Sequence, residues 1–188
     1  APPATDRVVY VGSLSAARGA VELVAAARML APHGVRVELV GPADGQVRGL
    51  IEAAATEGVL EWTGYQSNDE ALRRLDGALA GLTLLHDQPN YRHSLPTKVV
   101  EYMARGVPVI TTPLPQAARL VDTHRCGLVV PWQDPEAVAK SVLLLRADRP
   151  RRETLGRNGH AAARAHYSWP VAAERFVAQL ESWAGAAG

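Results

Sequence analysis

The sequence is poor in several features that mark other classes of protein. Its single cysteine, Cys126, excludes an intrachain disulfide and argues against a cysteine-based zinc site. The 20 Lys and Arg are balanced by 19 Asp and Glu, which argues against the basic face of a nucleic-acid-binding protein. No apolar run approaches the roughly 20 residues that a transmembrane helix requires. We therefore expect a cytoplasmic protein with no transmembrane segment and no nucleic-acid partner.

Aromatic residues are scarce as well, at 5% of the chain, whereas hydrophobic residues reach 47%. The core must therefore consist mostly of Ala, Val and Leu. A length of 188 residues with 21% charged residues is typical of one folded globular domain and is sufficient to bury a core.

Short β-branched runs alternate with segments of helical periodicity along the chain. Strands are predicted at residues 7–12, 35–41, 60–65, 79–85, 107–112 and 127–131. Helices are predicted at 18–30, 45–57, 68–75 with Asn68 as the cap, 97–105, 115–121, 134–146 with Asp134 as the cap, and 150–183 with a break near Ser168; residues 86–96 are predicted to be a loop. This order predicts an α/β fold, a Rossmann-like open parallel sheet of about six strands with helices on both faces.

Ligands of such sheets bind beyond the carboxyl ends of the strands, where the strand order reverses. The first loop there, residues 12–19, combines small residues with Arg18 at a helix entry, which suits a phosphate group. The alternative is an ordinary turn with a solvated arginine. The loop matches neither a GxGxxG fingerprint nor a P-loop.

The loop after the fourth strand leads into a helix whose first turn contains Lys98, preceded by Ser94 and Thr97. A cation is unfavourable at a helix N-terminus, and a bound diphosphate would remove that conflict. Glu101, one turn later, is placed to accept hydrogen bonds from a ribose. The alternative is a surface ion pair between Lys98 and Glu101. Loop length, helix start, lysine and glutamate together favour a ligand site.

Residues 94–110 (SLPTKVVEYMARGVPVI) resemble the most recognisable segment of the retaining glycosyltransferases of the group 1, or family-four, type. Four further segments resemble parts of that family in the same order: YVGSLSAARG at 10–19 its first phosphate loop, LVGP at 39–42 the end of its second strand, WTGY at 62–65 its base-binding turn, and YSW at 167–169 the start of its terminal helix. The combination covers nearly the whole chain.

The resemblance implies a GT-B enzyme, in which two α/β domains face each other across the active site. This chain would be the carboxyl-terminal, donor-binding domain, inactive without the amino-terminal half that binds the acceptor and makes any membrane contact. Residues 168–184 would pack on that half. Without it, the apolar side chains of this segment would favour dimerisation of the chain: Val171, Phe176, Leu180 and Trp183.

The resemblance also implies roles for single residues. Arg18 and Lys98 would hold the diphosphate of a UDP- or GDP-sugar without a metal or cofactor, and Glu101 would bind the ribose. The other predicted substrate-binding residues are Gly12, Ser13, Tyr65, Gln66, His93, Ser94, Leu95 and Thr97. His93 stands where the family usually has a glutamate that touches the transferred sugar, and Ser13 stands where it often has an arginine.

Two other functions remain possible from the sequence. One is half of a nucleotide-sugar epimerase, although such enzymes need carboxylates around the sugar and these loops contain few. The other is a nucleotide-binding or interaction module of the same fold that lacks catalysis, which the substitutions at His93 and Ser13 would permit.

Overall fold

A computed structural model describes residues 6–94, 96–169, 173, 176–179 and 181–182. These residues form one open sheet of six parallel strands in the order β3-β2-β1-β4-β5-β6. The strands are β1 Arg7–Val11, β2 Arg36–Val40, β3 Leu60–Trp62, β4 Ala80–Thr83, β5 Val109–Thr111 and β6 Gly127–Val129. The predicted fold class is confirmed.

Helices connect successive strands and cover both faces of the sheet. Their bounds are α1 Ala20–Leu30, α2 Gly45–Thr56, α3 Asn68–Arg73, α4 Pro89–Arg92, α5 Thr97–Ala104, α6 Pro115–His124, α7 Pro135–Ala147 and α8 Arg149–His166, with 3-10 turns at Ala16–Arg18 and Ala31–His33. One hydrophobic core lies between the sheet and α1, α2 and α7, and the other lies under α3, α5, α6 and α8. Side chains of β1 alternate between the two cores because a strand has a period of two.

Three local predictions were wrong. Ser67, not Asn68, caps α3, because Ser67 and Glu70 form a reciprocal capping box. The predicted loop 86–96 contains the short helix α4, which begins at Pro89 and is stabilised by an ion pair between Arg92 and Asp87. Helix α6 continues to His124, where the left-handed backbone of the next residue ends it. The predicted cap at Asp134 is confirmed, since its side chain accepts a hydrogen bond from the Ala137 amide.

The centre of the sheet is completed by a side chain rather than by strand pairing alone. Strand β1 pairs with β4 over Val8–Ala80 and Val9–Gly81. Beyond that point the Val11 amide donates to the Tyr102 hydroxyl at 3.1 Å, and this hydroxyl donates to the Leu82 carbonyl, also at 3.1 Å. Tyr102 is fully buried, so both backbone groups obtain their partner without water.

This hydroxyl lies where the strand order reverses, with β2 and β3 on one side and β5 and β6 on the other. Gly81 makes room for the Tyr102 ring, because a Cβ at position 81 would collide with that ring. Lys98 precedes Tyr102 by four residues and therefore lies on the same face of α5. The anchoring of Tyr102 thus sets where Lys98 lies above the sheet edge.

The terminal segment is only partly described. Helix α8 ends at His166, close to the predicted break at Ser168. Of the apolar residues expected to drive dimerisation, Val171, Leu180 and Trp183 lie outside the described residues, and Phe176 is exposed. A terminal helix over 168–184, its packing on another domain and dimerisation remain predictions.

We expect Tyr102→Phe to lower the free energy of unfolding by about 1–3 kcal/mol, because it leaves a buried amide and a buried carbonyl without a partner. Urea denaturation measures this change. Tyr65→Phe is the matched control, since Tyr65 is 81% exposed and should unfold like the unchanged protein. Equal stability of the two variants would contradict a structural role for the buried hydroxyl.

Candidate functional site

Two segments from neighbouring strands meet at the carboxyl edge of the sheet. The loop after β1 contains Gly12, Ser13 and Arg18, and α5, which follows β4, contains Lys98 in its first turn. Because β1 and β4 are adjacent, the fold brings together two segments that are about 80 residues apart in the sequence. The predicted proximity of Arg18 and Lys98 is therefore a direct result of the strand order.

Lys98 lies against the backbone of the first loop. Its Nζ is 5.9 Å from the centroid of the Tyr10 ring. A Cβ built on Gly12 would lie 2.5 Å from Lys98 Cε and 2.6 Å from Nζ, and Gly12 has a φ of 131°. A glycine is required here by its backbone conformation and also by the space that the lysine occupies.

The charges at this point are only partly compensated. Burial lowers the pKa of Lys98, and the nearby Arg18 guanidinium lowers it further, while Glu101 acts in the opposite direction. Burial raises the pKa of Glu101, opposed by Lys98. Within the described part of the chain, neither Arg18 nor Lys98 has a carboxylate within 4.0 Å. Two partly buried cations without an ion-pair partner suit an anionic ligand.

A cavity of about 280 Å³ opens beside these two cations. It brings together the predicted residues Ser94, Thr97, Arg18 and Lys98. The remaining lining residues are Thr83, Leu85, Asn90, Tyr91, Pro96, Leu114 and Ala117. We name it the α4 cavity, because Asn90 and Tyr91 belong to that short helix. No pattern in the sequence pointed to a role for Asn90 or Tyr91, although Pro89 is a typical first residue of a helix.

The loop after β1 also borders a second cavity of about 280 Å³, through Gly12 and Ser13. It brings together four more of the predicted residues, namely Gly12, Ser13, Tyr65 and Gln66, and is completed by Val11, Val40, Gly41, Pro42, Asn68 and Ala71. We name it the β3 cavity, after the strand that precedes Tyr65. Lys98 lines the α4 cavity and lies against Gly12, which lines the β3 cavity, so this lysine lies between the two.

A chain of polar contacts fixes Gln66 at the rim of the β3 cavity. Arg74 Nε donates to Gln66 Oε1 at 2.9 Å, and Arg74 also pairs with Glu38, which is 2% exposed. Arg7 binds the other oxygen of Glu38 at 3.1 Å. An arginine can only donate, so the Gln66 oxygen must face Arg74. Nothing in the local sequence around Gln66 indicates this link to β2.

Two predicted residues line neither cavity, and a third is not described. His93 is exposed and Glu101 is partly buried, and neither lines the α4 cavity or the β3 cavity. Leu95 lies outside the residues that the structure describes. The roles expected for these residues from the family resemblance remain predictions.

The described residues contain no group of three or more His, Cys, Asp or Glu side chains arranged to hold a metal ion. The expectation that the site works without a metal or cofactor stays a prediction. Among the helices of the described part, none is both long and apolar enough to cross a membrane.

The sequence profile of the family described as group 1 glycosyl transferases matches residues 5–148, which is most of the chain. The chain belongs to this family. Among curated group 1 relatives, it is 29% identical over 145 residues to the putative colanic acid biosynthesis glycosyltransferase WcaL of Escherichia coli. That match covers 74% of this chain and 36% of WcaL, so this group 1 domain spans about a third of its relative.

Solved structures agree with this assignment. Sucrose-phosphate synthase from Thermosynechococcus elongatus superposes on the group 1 domain with a TM-score of 0.79 at 26% identity, covering 97% of this chain and 46% of the synthase chain. HepE from Anabaena, solved with UDP, superposes with a TM-score of 0.79 at 18% identity, over 95% of this chain and 49% of HepE. The fold is therefore that of one half of the GT-B glycosyltransferases.

We expect Gly12→Ala to lower the free energy of unfolding of the group 1 domain by about 1–3 kcal/mol, because alanine is strained at this backbone angle and meets Lys98. Gly49→Ala is the control: it lies inside α2 with open space around it and should raise stability by about 0.5–1 kcal/mol. Urea denaturation measures both. If the Gly12→Ala variant were as stable as the unchanged protein, the claim that position 12 requires glycine would be wrong.

Proposed function

We propose that this chain is the donor-binding domain of a retaining glycosyltransferase, which transfers a sugar from a nucleotide-diphosphate sugar to an acceptor. The observation that carries the proposal is the pair Arg18 and Lys98. Both are partly buried at the switch point of the sheet, and neither has an ion-pair partner in the described residues. A diphosphate would supply the missing negative charge.

The two cations would hold the diphosphate and stabilise the charge that develops on it as the sugar leaves. The lowered pKa of Lys98 reflects the cost of keeping an ammonium partly buried beside Arg18, and an anion bound there would offset that cost. The amino end of α5 adds its dipole, which favours an anion at the same point. The Thr97 hydroxyl would donate to the same anion, and a site of this kind would need no metal ion.

The nucleoside would occupy the β3 cavity. Tyr65 and Gln66 would contact the base, and the backbone of Gly12 and Ser13 would approach the phosphates. Glu101 does not line this cavity, and its role as acceptor for the ribose hydroxyls is proposed from the family resemblance alone. The HepE structure with UDP supports a uridine nucleotide as the first ligand to test. The fixed amide of Gln66 and the close contact between Lys98 and Gly12 support a preformed site.

Transfer to an acceptor requires more than this domain. The chain covers 36% of WcaL and 46–49% of the sucrose-phosphate synthase and HepE chains, which supports a second domain in the complete enzyme. We propose that the second domain binds the acceptor and closes the active site. The chain by itself would then bind the donor without turning it over.

A second candidate is a nucleotide-binding module of the same fold that does not catalyse transfer. The observation that favours it is His93, which replaces a glutamate of the family motif and lies outside the α4 cavity. Activity decides between the two functions. A complete enzyme that binds the donor but neither hydrolyses nor transfers it would support the second candidate.

We test the proposed function with UDP, GDP, ADP and dTDP, each compared with its monophosphate by thermal shift and then by calorimetry. A ligand of the folded state raises the melting temperature, and we expect one diphosphate to give a larger rise than its monophosphate. Lys98→Ala should weaken the binding of that diphosphate by about 1.5–3 kcal/mol, or roughly 10- to 150-fold in Kd, since the substitution removes a charge-assisted contact.

Lys140→Ala is the matched control, because Lys140 is exposed on α7 and pairs with Glu136 at 2.8 Å. It removes the same charge and should leave the Kd unchanged. An equal loss in both variants would mean a nonspecific effect of net charge. If no diphosphate binds at millimolar concentration, the proposed function is wrong.

We expect Glu101→Ala to weaken the binding of uridine and of UDP alike, with a Kd about 10-fold higher or more, because the proposed partner of Glu101 is the ribose. Saturation-transfer NMR with each ligand measures the effect, and Glu136→Ala on the exposed face of α7 is the control. Tighter binding of UDP without any loss for uridine would show that Glu101 acts on the diphosphate only through its charge.

A further inference from the structure

The α4 cavity shares no lining residue with the β3 cavity. In the proposed function the nucleoside lies in the β3 cavity and the diphosphate lies between Arg18 and Lys98. A nucleotide sugar carries its sugar on the phosphate far from the nucleoside. The sugar would therefore continue past Lys98, away from Tyr65 and Gln66. The α4 cavity is lined by Lys98 and by neither Tyr65 nor Gln66, so it is the cavity that the sugar would enter.

We infer that Asn90, on α4, is a residue that contacts the transferred sugar and determines which sugars bind. The inference rests on the proposed function. Asn90 and Tyr91 line the cavity together with Arg18 and Lys98, whereas His93, the residue expected from the family resemblance to touch the sugar, is absent from its lining.

Helix α4 holds Asn90 in a defined place. Arg92 donates two hydrogen bonds to Asp87, both at 2.6 Å. This bidentate pair links a residue before Asn90 to a residue after it and so holds the segment between them in place. The Ser94 hydroxyl donates to the Tyr91 carbonyl at 3.1 Å, and the Tyr91 ring packs against the core under α5. A side chain on a braced helix can discriminate between ligands better than one on a mobile loop.

The chemistry of the lining suits a neutral, hydroxylated sugar. It includes two cations and no carboxylate. The cations are those assigned to the diphosphate, and the charge of Arg92 is compensated by Asp87. Asn90 offers both a donor and an acceptor, which matches a sugar hydroxyl. Leu114, Ala117 and the Tyr91 ring offer apolar surface for the carbon–hydrogen faces of the sugar.

The experiment compares each nucleotide with and without its sugar. Calorimetry of this chain with UDP and UDP-glucose, and with GDP and GDP-mannose, gives a Kd for each. Asn90→Ala should weaken the nucleotide sugar about 3- to 10-fold, which is the effect of one lost hydrogen bond, and should leave the diphosphate within about twofold. Asn158→Ala, on α8 and bonded to the Arg125 carbonyl, is the control and should change neither Kd.

Each other result overturns the inference. Asn90→Ala without effect on either ligand, or with equal loss for the diphosphate and the nucleotide sugar, would mean that Asn90 does not contact the sugar. A loss specific to the nucleotide sugar in His93→Ala, with none in Asn90→Ala, would assign the contact to His93. Failure of the unchanged chain to bind any diphosphate would instead reject the proposed function itself. Thermal unfolding without ligand checks that each variant is folded.

Discussion

The arrangement of the site depends on the two hydrogen bonds of the Tyr102 hydroxyl. The central strands β1 and β4 lose direct pairing near their carboxyl ends, and the hydroxyl restores it by bonding to both Val11 and Leu82. Since Tyr102 belongs to α5, the same contact locks that helix to the switch point of the sheet. Lys98, one turn earlier, is thereby held against the loop after β1. Sheet integrity and the position of the central cation are therefore linked.

The protein treats its buried and partly buried charges in two different ways. Glu38 lies within the sheet and is paired with both Arg7 and Arg74, as the cost of burying a charge requires. Lys98 and Arg18 lie close enough for the charge of Arg18 to disfavour the charged form of Lys98. Among the described residues, neither side chain has an ion-pair partner. Such uncompensated charge is typical of sites in which a bound ligand supplies the opposite charge. The contrast supports a diphosphate between the two cations more strongly than either residue does separately.

The two cavities on either side of Lys98 divide the proposed donor into parts. Tyr65 and Gln66 border the cavity assigned to the nucleoside, and their position depends on contacts from Arg74 to β2. Asn90 and Tyr91 border the cavity assigned to the sugar, and their position depends on the brace between Arg92 and Asp87. Each cavity is thus supported by its own ion pair, Arg74 with Glu38 beside the β3 cavity and Arg92 with Asp87 beside the α4 cavity.

The sequence alone determined the alternation of six strands with helices and the fold class, because local periodicity and turn residues set these elements. The grouping of Arg18 with Lys98 came from the family resemblance, and the adjacency of β1 and β4 accounts for it. The cap at Ser67 was also readable from its spacing to Glu70, although Asn68 was the residue predicted. Only the tertiary structure decided that Tyr102 joins β1 to β4, that Arg74 orients Gln66, and that Asn90 rather than His93 lines the cavity. Those contacts depend on how packed helices direct particular side chains across the sheet, and no local pattern in the sequence records that direction.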